Sequence, residues 1–213
     1  MQKITLFLLF ALIPFFVFPQ DSIVSKSWGY KGYSGGMFIH TGYVQSEPFL
    51  VSVSCNEAIE QQIKGAVFGL GGKMSIYLNR YFRVGGEGYF SSCKYGTYKN
   101  SCRIGWGGVT FDLLYPVKKW APFLGVTLGY GNATNLIFTE KPQLEHSMTP
   151  IQVVYFTHSF SIFNPAIGVE FFASSRISLL FKMDYMINIS KTELPYPQGV
   201  RFYLGIHFYQ KKV

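Results

Sequence analysis

Side chains alternate without a break along residues 199–209. Val200, Phe202, Leu204, Ile206 and Phe208 share one face, and Arg201, Tyr203, Gly205, His207 and Tyr209 share the other. A period of two is the period of a strand. The second face needs water or a crowded polar interior, because its charges are costly in hydrocarbon. The same alternation recurs seven more times and predicts strands over residues 35–45, 64–78, 81–92, 102–115, 120–134, 155–173 and 177–190. In the first, Met37, Ile39, Thr41 and Tyr43 oppose Phe38, His40 and Gly42; in the second, Phe68, Leu70, Met74 and Ile76 oppose Lys73, Ser75 and Tyr77. The third sets Phe82, Val84 and Phe90 against Arg83, Glu87 and Tyr89, and the seventh sets Leu179, Phe181 and Met183 against Ser178, Lys182 and Asp184.

Two strands are less regular. In the fourth, Ile104 and Trp106 stand on even positions and Val109, Phe111, Leu113 and Tyr115 on odd ones, so a glycine bulge is expected at Gly107 and Gly108. In the sixth, Asn164 and Pro165 interrupt the run. The fifth opposes Leu124, Val126, Leu128 and Tyr130 to Gly125, Thr127, Gly129 and Gly131, and inward glycines suit a narrow lumen crossed by large side chains from other strands.

The connections alternate in length. Residues 46–63, 94–101, 135–154 and the segment around Pro195 and Pro197 are long; 79–80, 116–119 and 174–176 are short. Short turns at one rim and long loops at the other are the layout of an even-stranded membrane barrel with its apolar face outward. Aromatic girdles are expected from Tyr43, Trp106, Tyr115, Trp120, Tyr130 and Tyr209. The alternative is a soluble eight-stranded barrel whose apolar face encloses a ligand.

Composition narrows the choice. The 213 residues are 18% aromatic and only 14% charged, a low charged fraction for a water-soluble protein. Beyond the N-terminus no apolar run approaches the about 18 residues of a spanning helix, which leaves a closed barrel or an apolar sandwich. At the N-terminus, Lys3 precedes an apolar stretch over residues 4–18 broken only by Thr5 and Pro14. That is the layout of an export signal, expected over residues 1–20 with cleavage near Gln20 and Asp21. Phe18 and Pro19 stand where small residues are preferred, and a retained anchor is the alternative. A polar lead-in over residues 21–34 and a barrel over residues 35–213 complete the organisation.

Of the three cysteines, Cys93 and Cys102 flank one turn and are candidates for a disulfide, with Cys55 left over. Strict alternation puts Cys93 inside and Cys102 outside, so pairing needs a bulge or twist; three buried thiols are the alternative. The net charge of +8 favours an anionic headgroup layer or polyanions. No basic cluster has interleaved stacking residues, so nucleic acid is not an expected partner.

The exported N-terminus, the Gly-aromatic strand PFLGVTLGY ending at Tyr130, the strand end GVEFF over residues 168–172 and the aromatic closing strand together resemble the small eight-stranded outer-membrane barrels of the OmpA/OmpX type. The resemblance implies an all-β, eight-stranded antiparallel up-and-down transmembrane β-barrel in the outer membrane of a Gram-negative bacterium. It leaves activity open, since that superfamily includes adhesins, structural anchors and a few lipid-modifying enzymes. Many members end on an aromatic residue, whereas here Gln210, Lys211, Lys212 and Val213 follow Tyr209.

Parity assigns a polar lumen to Lys73, Arg83, Glu87, Asp112, Glu170, Lys182, Asp184, Arg201 and His207. Cations and carboxylates nearly match in number, and unpaired buried charge is expensive, so the expectation is mutual pairing that plugs the interior. A proton path or small pore is the alternative.

The leading functional expectation is a structural or surface-interaction protein and not an enzyme. It has no cofactor and no metal site, because His40, His146, His158 and His207 are scattered. A membrane-surface hydrolase acting on lipid A would use His158 with Ser159 or Ser161. Glu170 lies about 30 Å beyond Ser161 along an extended strand, too far for a third member. A component of an envelope secretion or conjugation assembly is a further alternative. Expected partners are outer-membrane lipid and a protein or surface ligand at loops 46–63 and 135–154, since long loops on a rigid scaffold carry recognition.

Overall fold

The computed structural model describes residues 32–54, 57–96, 100–139, 152–190 and 196–211. The expected export signal over residues 1–20, the lead-in over 21–31, Cys55 and His146 lie outside the described residues.

The described residues form ten strands in chain order: β1 Gly32–Gln45, β2 Phe49–Ser54, β3 Glu57–Gln61, β4 Lys64–Tyr77, β5 Phe82–Tyr95, β6 Asn100–Leu114, β7 Trp120–Thr139, β8 Gln152–Phe172, β9 Ile177–Asn188 and β10 Gln198–Lys211. Eight of them close a barrel in the order β1-β10-β9-β8-β7-β6-β5-β4, and β2 with β3 makes a separate hairpin. Every neighbouring pair is antiparallel, and the ring shuts where β1 meets β10, from Gly32 opposite Lys211 to Gln45 opposite Gln198. Closure leaves no unpaired sheet edge around the ring. The expected eight-stranded antiparallel barrel is the observed one.

Alternation sets the two surfaces. Met37 and Met74 are 75% and 72% exposed on the outside, among Ile39, Leu70, Phe90, Leu128, Phe181, Leu204 and Phe208. Inside, Arg83, Arg201, Tyr203 and His207 are buried. The apolar face therefore points out, opposite to a soluble ligand-carrying barrel.

Several expectations are corrected. β1 begins at Gly32, inside the expected lead-in. Residues 46–63 are not an open loop but carry β2 and β3, paired from Phe49 opposite Gln61. The connection expected over 94–101 shrinks to residues 96–99, because β5 and β6 pair up to Tyr95 opposite Asn100. Likewise β7 and β8 stay paired to Thr139 opposite Gln152, so both ends of loop 135–154 are strand, and residues 140–151 lie outside the described ones.

The expected bulge in β6 is absent, since its register against β5 and β7 runs unbroken through Gly107 and Gly108. Even positions face inward along all of β6, so Cys102, Ile104 and Trp106 are inside and Arg103 is outside. Apolar side chains were expected outside, but the upper lumen is itself apolar and accepts them. Trp106 and Tyr209 are consequently lumen residues and not girdle aromatics, whereas Tyr43, Tyr115, Trp120 and Tyr130 are exposed. At Asn164 and Pro165, β8 remains extended but its ladder to β9 skips both residues.

Candidate functional site

The lumen is built in two layers. On the short-turn side, Asp112 Oδ2 accepts hydrogen bonds from Lys73 Nζ at 2.7 Å and from Arg83 Nε at 2.6 Å. Arg83 Nη1 reaches Glu170 Oε1 at 2.5 Å, and His207 Nδ1 lies 3.1 Å from the same oxygen. Tyr209 donates its hydroxyl to the other Glu170 oxygen and receives one from Tyr77 at 2.8 Å. Residues from β4, β5, β6, β8 and β10 thus meet on one axis, because each strand's inward parity aims a polar side chain there.

One level higher, Lys182 Nζ donates to Glu87 Oε2 at 2.9 Å and Thr127 Oγ1 donates to Glu87 Oε1 at 2.6 Å. Arg201 grips Asp184 with two donors, Nε at 2.8 Å and Nη2 at 2.9 Å, the planar fork that matches a carboxylate. Aromatic faces complete the layer: Lys182 Nζ is 4.5 Å from the Tyr203 ring centre and the Arg201 guanidinium 5.0 Å from the Trp106 ring, geometries that stabilise desolvated cations. Glycines opposite these groups make the room. A Cβ on Gly71 would enter the Tyr89 ring, and one on Gly125 would stand 2.5 Å from Asp112 Oδ1.

Above the charges the lumen turns apolar, with Ile63, Cys93, Cys102, Ile104, Ala133, Ile137, Phe160, Ile162 and Tyr196 buried. The β2–β3 hairpin packs onto this end, where Phe49 meets Phe156 edge-on at 6.1 Å. Its base is held by Ser46 N donating to Ile63 O at 2.8 Å and by Asn100 Nδ2 donating to Gln61 Oε1 at 3.2 Å.

All nine residues assigned to the lumen by parity lie inside the barrel. His40, Ser91, Tyr77, Tyr89 and Thr127 share the inward positions and stand beside these nine in the lumen. His40 Nε2 and Ser91 Oγ are 2.6 Å apart. Both are buried, and His40 Nδ1 has no hydrogen-bond partner, so no carboxylate orients the ring.

The hydrolase constellation is not assembled. His158 faces the lumen with neither ring nitrogen hydrogen-bonded, while Ser159 faces out and donates to Asn132 Oδ1 at 2.7 Å. Glu170 is held by Arg83, His207 and Tyr209 at the opposite end of β8.

Cys93 and Cys102 are both free thiols, both buried, and stand directly opposite each other across β5 and β6. The expected outward placement of Cys102 does not hold. Among the described residues no group of three or more His, Cys, Asp or Glu side chains is arranged to hold a metal ion.

No protein-family model matches the chain, and no curated protein matches it in sequence. Among solved structures, Neisserial surface protein A superposes with a TM-score of 0.52 at 12% identity, covering 83% of this chain and 96% of that one. Ail, the attachment invasion locus protein of Yersinia pestis, solved with the heparin analogue sucrose octasulfate, gives 0.49 at 12% identity over 84% of this chain and 99% of that one. The outer membrane protease OmpT of Escherichia coli gives 0.46 at 4% identity over 90% and 99% of the two chains. The closed eight-stranded antiparallel barrel is the fold this chain shares with Neisserial surface protein A.

Proposed function

We propose, from the fold shared with the small outer-membrane barrels, that this chain resides in the outer membrane of a Gram-negative bacterium as a plugged barrel. In this reading it serves a structural or surface-interaction role and not an enzymatic one. The observation that carries the reading is the opposition of its two faces: an outside of exposed Met, Leu, Ile and Phe, and an inside where four carboxylates are each paired with a cation. Lipid accepts the first, and the second excludes a continuous water column in a barrel this narrow.

Surface interaction falls to the rim opposite the short turns. There the β2–β3 hairpin exposes Leu50 and Ile59 while burying Phe49 and Val51, a rigid platform of the kind on which recognition is built. Residues 140–151, which follow β7 and precede β8 in the chain, are the second candidate for that role.

Fractionation of producing cells, followed by electrophoresis of the purified envelope protein with and without boiling, tests residence and closure. Recovery with the outer membrane and a heat-dependent mobility shift is the expected result; recovery in the soluble periplasm overturns it. In planar bilayers the same preparation is expected to give no discrete conductance steps, and steady ion currents would remove the plug.

A further inference from the structure

The lumen uses its charges up. Lys73, Arg83, Lys182 and Arg201 face Glu87, Asp112, Glu170 and Asp184, four against four, so the net charge of +8 lies elsewhere. Among the described residues, no carboxylate stands on the outer face of any barrel strand. Cations do: Lys94 near the end of β5 and Arg103 on β6 are both exposed, and neither enters an ion pair among the described residues.

Their height is set by register. Lys94 is opposite Ser101 and Ser92 opposite Arg103, which makes the two cations diagonal neighbours, within reach of one ligand. Arg103 is opposite Thr134, and Gly105 opposite Asn132. Below this level every outward position of β6 and β7 is apolar or glycine, from Leu113 and Trp120 up to Gly105 and Tyr130. Between Leu113 and Arg103 the strand rises about 33 Å, or about 25 Å along the barrel axis at a tilt of about 40°. That is the height of a lipid-facing band. Polar side chains therefore begin where hydrocarbon ends.

A groove of about 350 Å³ lies at this boundary, with Ser101, Arg103, Asn132 and Thr134 on its polar side and Phe90 and Tyr155 on its apolar side. Outward donors continue onto β8, where Thr157 and Ser159 hydrogen-bond Thr134 and Asn132.

We propose that Ser92, Lys94, Ser101, Arg103, Asn132 and Thr134 bind the phosphorylated headgroup of an outer-leaflet glycolipid, whose acyl chains descend along the apolar strands below. The inference rests on the membrane reading above and adds the lipid class and its place on the barrel. Arg103 and Lys94 meet the phosphate, the hydroxyl and amide groups meet sugar oxygens, and Phe90 and Tyr155 flank the first methylenes. A neutral headgroup would leave two cations without a counter-ion at the edge of hydrocarbon. A phosphate supplies acceptors for both.

The test uses the folded full chain in neutral detergent micelles, titrated with diphosphoryl lipid A and read by native mass spectrometry. The Lys94→Gln/Arg103→Gln variant is expected to weaken retention about ten-fold or more, Arg103→Lys to keep most of it, and Lys119→Gln/Arg176→Gln at the opposite rim to leave it unchanged. Dephosphorylated lipid should bind the unaltered chain no better than the phosphorylated lipid binds the double variant. Equal retention by the double variant, or equal binding of the dephosphorylated lipid, overturns the proposal. Full displacement by millimolar inorganic phosphate also overturns it, because the site would then take a free anion. Insertion of each form into phosphatidylcholine vesicles separates the two levels: a chain that inserts without discriminating lipids sinks only this inference, whereas one that fails to insert sinks the membrane reading with it.

Discussion

Arg83 and Glu170, carried by β5 and β8, meet at 2.5 Å in the lumen, and neither side chain is exposed to solvent. Glu170 also receives His207 and Tyr209, and Arg83 also serves Asp112. One carboxylate and one guanidinium thus tie β5, β6, β8 and β10 together across the barrel.

Glu170→Gln should destabilise the barrel by about 3–5 kcal/mol, the cost of leaving a buried charge without its partner. Arg83→Met alone should cost a similar amount. The double variant Arg83→Met/Glu170→Gln should cost clearly less than the sum, because contacting residues couple. Urea unfolding in phosphatidylcholine vesicles measures all three, and strict additivity would mean that the pair does not act as a unit.

Leu204 lies in the middle of β10 on the outer face, and Ser159 lies above the apolar belt on β8. Leu204→Arg should cost about 2–4 kcal/mol in a bilayer and Ser159→Arg about 0–1 kcal/mol, following the depth dependence of lipid-facing charge. Equal costs in the same vesicle assay would place the belt at a different height.

Gly71 faces the Tyr89 ring across β4 and β5. Gly71→Ala should destabilise by about 1–3 kcal/mol through overpacking. Adding Tyr89→Ala should recover part of that loss if the clash is the cause. Thermal loss of the heat-dependent mobility shift reads both variants, and a tolerated Gly71→Ala would show that the ring moves freely.

Cys93 and Cys102 stand in register, and opposed residues of an antiparallel pair have Cα atoms about 4.5–5.5 Å apart, within the span of a disulfide. Exchange with oxidised glutathione during refolding should join these two thiols: each thiol gives up its proton, the Sγ–Sγ bond forms, and the glutathione disulfide is reduced to two thiols. Alkylation mapping should then find Cys55 modified and the other two protected. Free Cys93 and Cys102 after that treatment would show that the strand pair holds the sulfurs apart.

Alternation is a local property, and the parity of Val200 to Tyr209, or of Ile177 to Asp184, was legible because each residue's face follows from its neighbours alone. The charged lumen followed from it directly, since a charge on the inner face can only be inside. Parity failed at Gly107 and Gly108, where two residues without side chains carry no facing signal and the apolar Ile104 and Trp106 were given to the lipid side. The hairpin β2–β3 was missed for a related reason: Ser52, Ser54 and Glu57 interrupt a short run that reads as polar loop.

By itself, then, the amino-acid sequence determined the number of barrel strands, which side chains share a face along the regular ones, and the near balance of buried charge, because a two-residue period and a count of ionisable groups need no partner strand. Which carboxylate meets which cation, that Cys93 faces Cys102, that the upper lumen is apolar, and that Lys94 and Arg103 come side by side at the edge of the belt were decided only by the closed barrel. Those relations depend on the stagger between strands, which is set by the closure of the ring and by the way interior side chains of unequal size pack together, and no single strand carries that information.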